Sequence, residues 1–255
     1  MNEFSLIAFD MDGTLTESAT PIEPETITLL ESLLRHKKIA IASGATLNQF
    51  EQQLLKHFSC DTSYFKNLYL LPTNGSALYE YDNGWRSLYC IDFTEDEARE
   101  IMNAFDQALV KSGYETPATT YGPIIEHRCS QVTFAGLGVH APCEEKAKWD
   151  PDHTKRERIV KNLSELLPEL SVTIGGTTSI DVTKKGINKA YGLRRLLKHL
   201  DHSKDQLLYI GDTLFPGGND APALTLGTKC VPVTTVSDTR ALIRQILNEV
   251  PAERL

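Results

Sequence analysis

The stretch FSLIAFDMDGTLT, residues 4–16, predicts a buried strand that ends in two acids and a Gly-Thr turn. Asp10 and Asp12 are two positions apart, so in an extended backbone their side chains point to the same side. Ligands of open α/β folds bind at the carboxyl edge of the sheet, where both carboxylates can face one pocket. An isolated Asp-x-Asp is more often a solvated turn, and the motifs that follow weigh against this alternative.

The paired acids indicate a particular chemistry. Two carboxylates held side by side repel each other unless a cation or a shared proton relieves them. Mg²⁺ prefers oxygen ligands and often bridges to phosphate. A carboxylate beside Mg²⁺ and a phosphate can act as a nucleophile and become an aspartyl-phosphate. The pair is therefore a candidate phosphoryl-transfer centre.

The composition is that of an ordinary globular protein and excludes several functions. The chain has 255 residues, 41% of them hydrophobic, and a formal net charge of −8. It has no long basic run, so we expect no nucleic-acid partner. No apolar stretch approaches the 18 residues of a membrane span, and the N-terminus lacks the pattern of a signal peptide. Five scattered cysteines without a Cys-x-x-Cys pair favour reduced thiols in a cytoplasmic protein.

The secondary-structure pattern changes twice along the chain. Predicted strands and helices alternate in residues 1–83 and again in residues 186–255, which is typical of a parallel sheet covered on both faces. Residues 84–185 are rich in strands and do not alternate. We therefore predict an α/β protein with a Rossmann-like three-layer core, residues 1–83 and 186–255, and an inserted α+β cap domain, residues 84–185.

Three further segments put polar groups at strand ends or at a helix start. They are IAIASG (39–44), GINK (186–189) and LLYIGD (207–212), the last followed by PGGND (216–220). Together with the paired acids, in this order, they resemble the four motifs of the haloacid dehalogenase superfamily of phosphotransferases. An inserted domain between the second and third motifs resembles the subgroup with a large α/β cap.

The resemblance is closest to the eukaryotic phosphomannomutases and covers most of the chain. The form PGGND at 216–220 marks those enzymes. Gly175-Gly176 followed by SIDV (179–182) is similar to their substrate-facing cap strand. The resemblance implies that Ser179 and Asp181 bind substrate. Related enzymes dimerise through their caps, but no decisive apolar stripe marks an interface here, so a homodimer through the cap stays an open alternative.

The motifs and the resemblance together assign roles in the core. Asp10 is expected to be the nucleophile and a metal ligand, and Asp12 the general acid and base, with its backbone carbonyl also touching Mg²⁺. Lys189 is expected to neutralise the phosphate and Asp10, although a lone Lys is normally a surface residue. Ser43 and Gly44 are expected to bind the transferred phosphoryl group. Alternatively, Ser43 only caps the helix predicted at 46–58.

The metal site is expected to be completed by the last motif. Asp212 is assigned as a metal ligand, with Asn219 or Asp220 in direct or indirect contact with the ion. Gly217 and Gly218 permit a tight backbone beside it. A plain surface turn would use the same glycines.

The cap departs from the phosphomannomutase pattern. Arg128 takes the place of the first arginine that binds the distal phosphate, and its alternative role is a surface salt bridge. Val139 stands where a second arginine is expected, Lys146 where a third is expected, and a fourth is replaced around Ala19. Lysine does not reproduce the bidentate fork of arginine.

These losses guide the functional hypothesis. A mutase must hold its substrate by the far phosphate, and a phosphatase need not. We therefore predict an enzyme, a Mg²⁺-dependent phosphotransferase or phosphatase that acts on hexose phosphates through an aspartyl-phosphate. The alternative is a phosphomannomutase that interconverts mannose 6-phosphate and mannose 1-phosphate. A non-catalytic phosphosugar-binding protein is a minor alternative.

Overall fold

The computed structural model describes residues 3–17 and 20–249. It contains two separate β-sheets, each with helices packed against it. The large sheet has the strand order β11-β10-β1-β2-β3-β4-β5, and the small sheet the order β6-β7-β9-β8. The strands are β1 Leu6–Asp10, β2 Lys38–Ala42, β3 Leu68–Leu71, β4 Ala77–Tyr81, β5 Trp85–Cys90, β6 Ile125–His127, β7 Gln131–Ala135, β8 Leu170–Gly175, β9 Ser179–Lys184, β10 Leu207–Gly211 and β11 Lys229–Pro232.

The large sheet is sandwiched between helices. Its first five strands are parallel, and β4 and β5 add an antiparallel edge. Helices α1, α2 and α8 pack on one face, and α6 and α7 pack on the other. The helices are α1 Pro24–Leu34, α2 Leu47–Gln53, α3 Glu95–Lys111, α4 Cys143–Trp149, α5 Thr154–Leu166, α6 Lys189–His199, α7 Ala221–Leu224 and α8 Val236–Glu249.

Strand β1 shows why the core has three layers. Ile7 and Phe9 join the apolar cluster under α1 and α8, whereas Leu6 and Ala8 join the cluster under α6. Successive side chains of a strand point to opposite faces, so an unbroken apolar run needs cover on both sides. The run before Asp10 therefore places this acid at the edge of a fully buried sheet.

The small sheet is antiparallel and two-sided. Val132 and Phe134 of β7 pack, with Ile180 of β9, against helices α3 and α5. The alternate residues on these strands are polar and buried, among them Thr133 and Asp181. Because they point away from the helices, they form the face that meets the large sheet.

The predicted fold class is confirmed: an α/β core with a mostly parallel sheet accompanies a separate α+β sheet. Thr94 and Glu97 form a capping box at the start of α3. Helix α2 ends at Gln53 instead of continuing to 58, and a short 3₁₀ turn, Leu55–His57, follows it. Helix α4 was not predicted from the sequence.

The placement of β5 bears on the predicted division of the chain. The prediction puts Trp85–Cys90 in the inserted domain, whereas this strand pairs with β4 and extends the large sheet. Asn83 and Gly84, both at positive φ, form the hairpin turn that keeps the two strands together. We therefore propose that the inserted domain begins after Cys90.

Within the described ranges, no helix is long and apolar enough to cross a membrane.

Candidate active site

Three adjacent strands bring the core motifs to one edge. Strand β1 lies between β2 and β10 and runs parallel to both. Parallel neighbours end on the same side of a sheet, so Asp10, Ser43 and Asp212 meet at the carboxyl edge. The four predicted motifs therefore converge once Lys189, the first residue of α6, reaches this edge from the helix layer.

Lys189 is the centre of a buried charge cluster. Its Nζ lies 2.5 Å from Asp10 Oδ1 and 2.7 Å from Asp220 Oδ1. Neither Lys189 nor Asp220 is exposed to solvent, and Asp10 is 3% exposed. Buried charges need partners, so these two contacts explain why a lysine can stand inside the core. The alternative of a surface lysine is wrong.

The protonation equilibria follow from this crowding. Burial raises the pKa of Asp10 well above its ordinary value, and the carboxylates of Asp220 and Asp212 add to this rise against the charge of Lys189. Burial alone would lower the pKa of Lys189, but the two paired acids outweigh it and keep the ammonium charged. The cluster is thus an acidic site with one internal cation, as a metal-assisted phosphoryl transfer requires.

Asp220 receives hydrogen bonds on both of its oxygens. Oδ1 accepts from Lys189 and from the hydroxyl of Tyr209, a fully buried residue of β10. Oδ2 accepts from the backbone N–H of Thr213 at 3.0 Å and from its hydroxyl at 2.8 Å. Burial would raise the pKa of Asp220, but these donors, led by Lys189, lower it.

The arrangement fits a hard cation. One oxygen from each of Asp10, Asp212 and Asp220 lies within 4.8 Å of the others. Asp212 Oδ1 is buried without a hydrogen-bond partner, which is costly unless a cation uses it. A Cβ on Gly13 would collide with the Asp212 carboxylate, so the Gly-Thr turn lets this acid approach. Asn219 lines a cavity together with Asp10 and Asp212, and its Oδ1 lies 2.7 Å from the Thr213 hydroxyl, which shares its single proton between Asn219 and Asp220.

Asp12, Ser43 and Gly44 line a cavity of about 100 Å³ above Asp10. Ser43 Oγ accepts from the N–H of Ala45 at 3.0 Å, which leaves the hydroxyl proton for a ligand. Ser43 does not cap the following helix, because Thr46 forms a capping box there with Gln49. Asp12 also lines an adjoining cavity of about 520 Å³, so it stands between two chambers.

The cap supplies cations to the cavity wall. Lys146 on α4 is buried; burial lowers its pKa, while the nearby charge of Asp12 opposes this. Arg128 donates to Glu126 at 2.6 Å and to the carbonyl of Gly44 at 3.3 Å. Val139 also lines the cavity, at the place of an expected arginine. Ala19 lies outside the described residues.

Polar contacts join the cap to the core. The side-chain amide of Asn74 donates to Gln131 Oε1 at 2.9 Å and to Asp181 Oδ2 at 3.1 Å. Burial raises the pKa of Asp181, against the opposing charge of Arg128 and a hydrogen bond from Thr133. Ser179, half-buried on the same strand, lines the cavity as well.

Sequence reasoning missed several residues of this region. Asn74 and Gln131 connect the two sheets, and Tyr209 and Thr213 hold Asp220. One signal was available for Asn74, since it follows strand β3 as Ser43 follows β2. No local pattern marks Tyr209, because a buried tyrosine in a strand is ordinarily a core residue.

Comparisons with known proteins agree with this architecture. A family model described as eukaryotic phosphomannomutase matches residues 27–249. The phosphomannomutase of Oryza sativa subsp. indica is 29% identical over 222 residues, 84% of either chain. That of Schizosaccharomyces pombe is 27% identical over 253 residues, 96% of this chain and 95% of the relative.

Solved structures share the fold at lower identity. A C-terminally truncated IMP-nucleotidase of Plasmodium falciparum superposes with a TM-score of 0.71 at 20% identity, covering 96% of this chain and 71% of its own. A haloacid dehalogenase-like hydrolase from Bacteroides thetaiotaomicron gives a TM-score of 0.61 at 16% identity, with coverage of 95% and 99%. At these identities the likeness concerns the fold alone.

Proposed function

Since this chain belongs to the eukaryotic phosphomannomutase family, we propose that it is a Mg²⁺-dependent phosphotransferase that hydrolyses hexose phosphates through phosphorylation of Asp10. One observation carries the proposal. Lys189 bridges Asp10 and Asp220 inside a cluster of three carboxylates, directly beneath a cavity closed by the cap.

The residues can divide the reaction between them. Asp10 attacks the phosphorus atom, and the bond to the sugar oxygen breaks. Asp12 gives its proton to that leaving oxygen, and in the second half it takes a proton from the water that attacks the aspartyl-phosphate. Ser43 and Gly44 hold the transferred group, and Lys189 offsets its negative charge.

Asp10 and Asp212 would hold Mg²⁺, together with the backbone carbonyl of Asp12. The ion would neutralise charge on the phosphoryl oxygens, which is where this reaction needs stabilisation. Asn219 and Asp220 were both predicted near the ion. The four hydrogen bonds to Asp220 favour a supporting role for this acid, and Asn219 is the residue of the two that lines the cavity.

The cap residues favour hydrolysis over mutase activity. Arg128 is engaged by Glu126 and by the Gly44 carbonyl, and Val139 contributes no charge. Lys146 is a buried point charge without the arginine fork. Holding a second phosphate would thus rest on fewer charged hydrogen bonds, each worth about 1.5–3 kcal/mol.

Phosphomannomutase activity is the second candidate, and family membership with relatives of that name across 84–96% of the chain supports it. The substrate would be a phosphorylated sugar in either case. A homodimer through the cap and a cytoplasmic location both stay predictions.

The test is phosphate release from mannose 1-phosphate and mannose 6-phosphate with Mg²⁺, in the wild type and in Asp10→Asn. We expect release by the wild type and less than about a hundredth of that rate in the variant, a barrier increase of about 2.7 kcal/mol. Isomerisation without net release, dependent on a trace of hexose 1,6-bisphosphate, would establish the mutase instead. A variant that keeps its activity would exclude Asp10 as the nucleophile.

A further inference from the structure

The wall of the catalytic cavity opposite Asp10 is formed by a short loop of the cap. Gly175, the last residue of β8, and residues 176–178, which join β8 to β9, are called here the substrate loop, and all four line the cavity. Gly176 has a φ of +45°, a conformation that favours glycine. The loop therefore depends on contacts from its surroundings to hold one shape.

A buried arginine supplies these contacts from behind the loop. Arg156, on helix α5, is 1% exposed, and its Nη1 donates to the carbonyls of Gly176 at 2.7 Å and Gly175 at 3.4 Å. Its Nε donates to Asp150 Oδ2 at 2.8 Å, and its Nη2 donates to the Asp150 carbonyl at 3.3 Å. The planar guanidinium is thus fixed on both sides.

Asp150 links the side chain of Arg156 to the start of the helix that carries it. Its Oδ1 accepts from the N–H of Lys155 at 2.9 Å, and its Oδ2 accepts from the N–H of Arg156 at 3.2 Å. These are free donors of the first turn of α5, so Asp150 satisfies the helix start while it pairs with the side chain. The position of Arg156 is therefore set by the helix rather than by the loop.

The loop in turn packs against the residues that are expected to contact the sugar. A Cβ on Gly175 would lie 2.7 Å from Asp181 Oδ2, so the loop backbone packs directly against that carboxylate. At its other end, the Thr178 carbonyl accepts from the N–H of Gly136 at 3.1 Å. Moving the carbonyls of Gly175 and Gly176 would thus displace the wall of the cavity and the support of Asp181 together.

We propose that Arg156 is a positioning residue for sugar recognition: its guanidinium fixes the substrate loop so that Asp181 and the loop fit the hexose of the substrate. This rests on the proposed action on hexose phosphates. A buried ion pair can often be replaced by apolar groups without loss of stability, so stability alone does not account for this one. The distinctive feature of this pair is that Nη1 of Arg156 also donates to two successive loop carbonyls, a contact called here the fork.

The test compares two substrates in matched variants. Arg156→Met combined with Asp150→Asn removes the fork, avoids a lone buried charge and keeps an acceptor for the helix start. Arg156→Lys keeps the charge and loses the fork. Arg158→Met, on the exposed side of the same helix, is the control. KM and kcat are measured for mannose 6-phosphate and for 4-nitrophenyl phosphate, which lacks a sugar.

The quantity compared is the KM for mannose 6-phosphate divided by the KM for 4-nitrophenyl phosphate. We expect this ratio to rise at least tenfold in the double variant, to rise less in Arg156→Lys, and to stay within twofold in Arg158→Met. An unchanged ratio in a variant with the melting temperature of the wild type would overturn the proposal, and so would equal losses on both substrates. Should the double variant not fold, Arg156→Lys decides on the same criteria.

A calorimetric measurement separates this proposal from the proposed function. In an Asp10→Asn background, the affinity for mannose 6-phosphate is measured by calorimetry, and this measurement does not depend on turnover. If the wild type hydrolyses neither substrate, the proposed function fails, and the Arg156→Lys change still decides the inference. If Arg156→Lys weakens binding at least fivefold relative to the Asp10→Asn protein alone, the positioning role is supported. Equal binding by the two proteins refutes it.

Discussion

The side-chain amide of Asn74 donates to Asp181 Oδ2 at 3.1 Å, and this bond joins the carboxyl edge of the large sheet to the polar face of the small sheet. Both side chains are buried, and Asn74 also holds Gln131 of the cap. The contact couples the position of the acid predicted to bind the sugar to the edge of the large sheet.

Asn74→Gly is expected to loosen the closed cap. Glycine tolerates the φ of 55° at this position, so the change removes hydrogen bonds without straining the backbone. Two lost hydrogen bonds at about 1 kcal/mol each predict a fall of up to thirtyfold in kcat/KM for mannose 6-phosphate. Asn83→Gly, at a similar φ of 54° in an exposed hairpin turn, is the control. An equal effect of both changes would contradict the coupling.

Arg128→Ala is expected to raise KM for a sugar phosphate about tenfold and to leave hydrolysis of an aryl phosphate nearly unchanged. The side chain reaches from the cap to the Gly44 carbonyl and lines the cavity, so its charge acts on the distant part of a substrate. Steady-state kinetics with both substrates measures the difference. Arg99→Ala, an exposed cap residue paired with Asp96, should change neither, and an Arg128 variant that behaves like it would have only a salt-bridge role.

Tyr209→Phe is expected to lower kcat about tenfold, the cost of one hydrogen bond to a charged group. The hydroxyl is one of four donors that hold Asp220, which in turn fixes Lys189 against Asp10. Tyr69→Phe is the matched control, because Tyr69 is buried on the same face of the sheet, on β3, which lies three strands away from the strand β10 that carries Tyr209. Similar kcat values for the two variants would exclude this support.

Chelation of divalent cations is expected to abolish activity, and Mg²⁺ should restore it while Ca²⁺ does so poorly. Ca²⁺ takes more ligands at longer distances and relaxes the geometry needed for transfer. Binding should also stabilise the fold by about 2.7 kcal/mol at a concentration of 100 times Kd, as measured by chemical denaturation. Asp212→Asn should remove most of this gain. Full activity in excess chelator would rule out the metal.

Asp150→Asn is expected to destabilise the protein at neutral pH and progressively less in acid. Burial would raise the pKa of Asp150, but the hydrogen bonds from Arg156 and the helix N–H groups lower it below its ordinary value. A lowered folded-state pKa adds stability above the unfolded value near 3.9, and this stability is lost as the pH falls through the folded value.

The expected loss in Asp150→Asn is about 3 kcal/mol near pH 7, since one partner of a buried ion pair is removed. Denaturation curves at pH 7, 5, 4 and 3 should show the gap between wild type and variant closing below about pH 4. Asp96→Asn, in an exposed pair with Arg99, should show little difference at any of these values. A gap that widens on acidification would reverse the sign and refute the argument.

The sequence by itself determined the layered α/β core and the place of its motifs. Apolar runs that end in Asp10, in Ser43 or in Asp212 specify parallel strands, and parallel strands end at one edge, so the convergence of these residues follows from local patterns. The family resemblance rests on the same residues. Strand β5 escaped this reasoning, because a short antiparallel hairpin carries no signal for the sheet that it joins.

Only the tertiary structure decided how the site is supported. Lys189 reaches Asp10 across 179 positions of sequence, and Asn74 reaches Asp181 across 107. The donors to Asp220 and the fork of Arg156 likewise depend on where helices pack and on which way buried side chains point. Such contacts are set by packing between distant segments, and no periodicity of the chain encodes them.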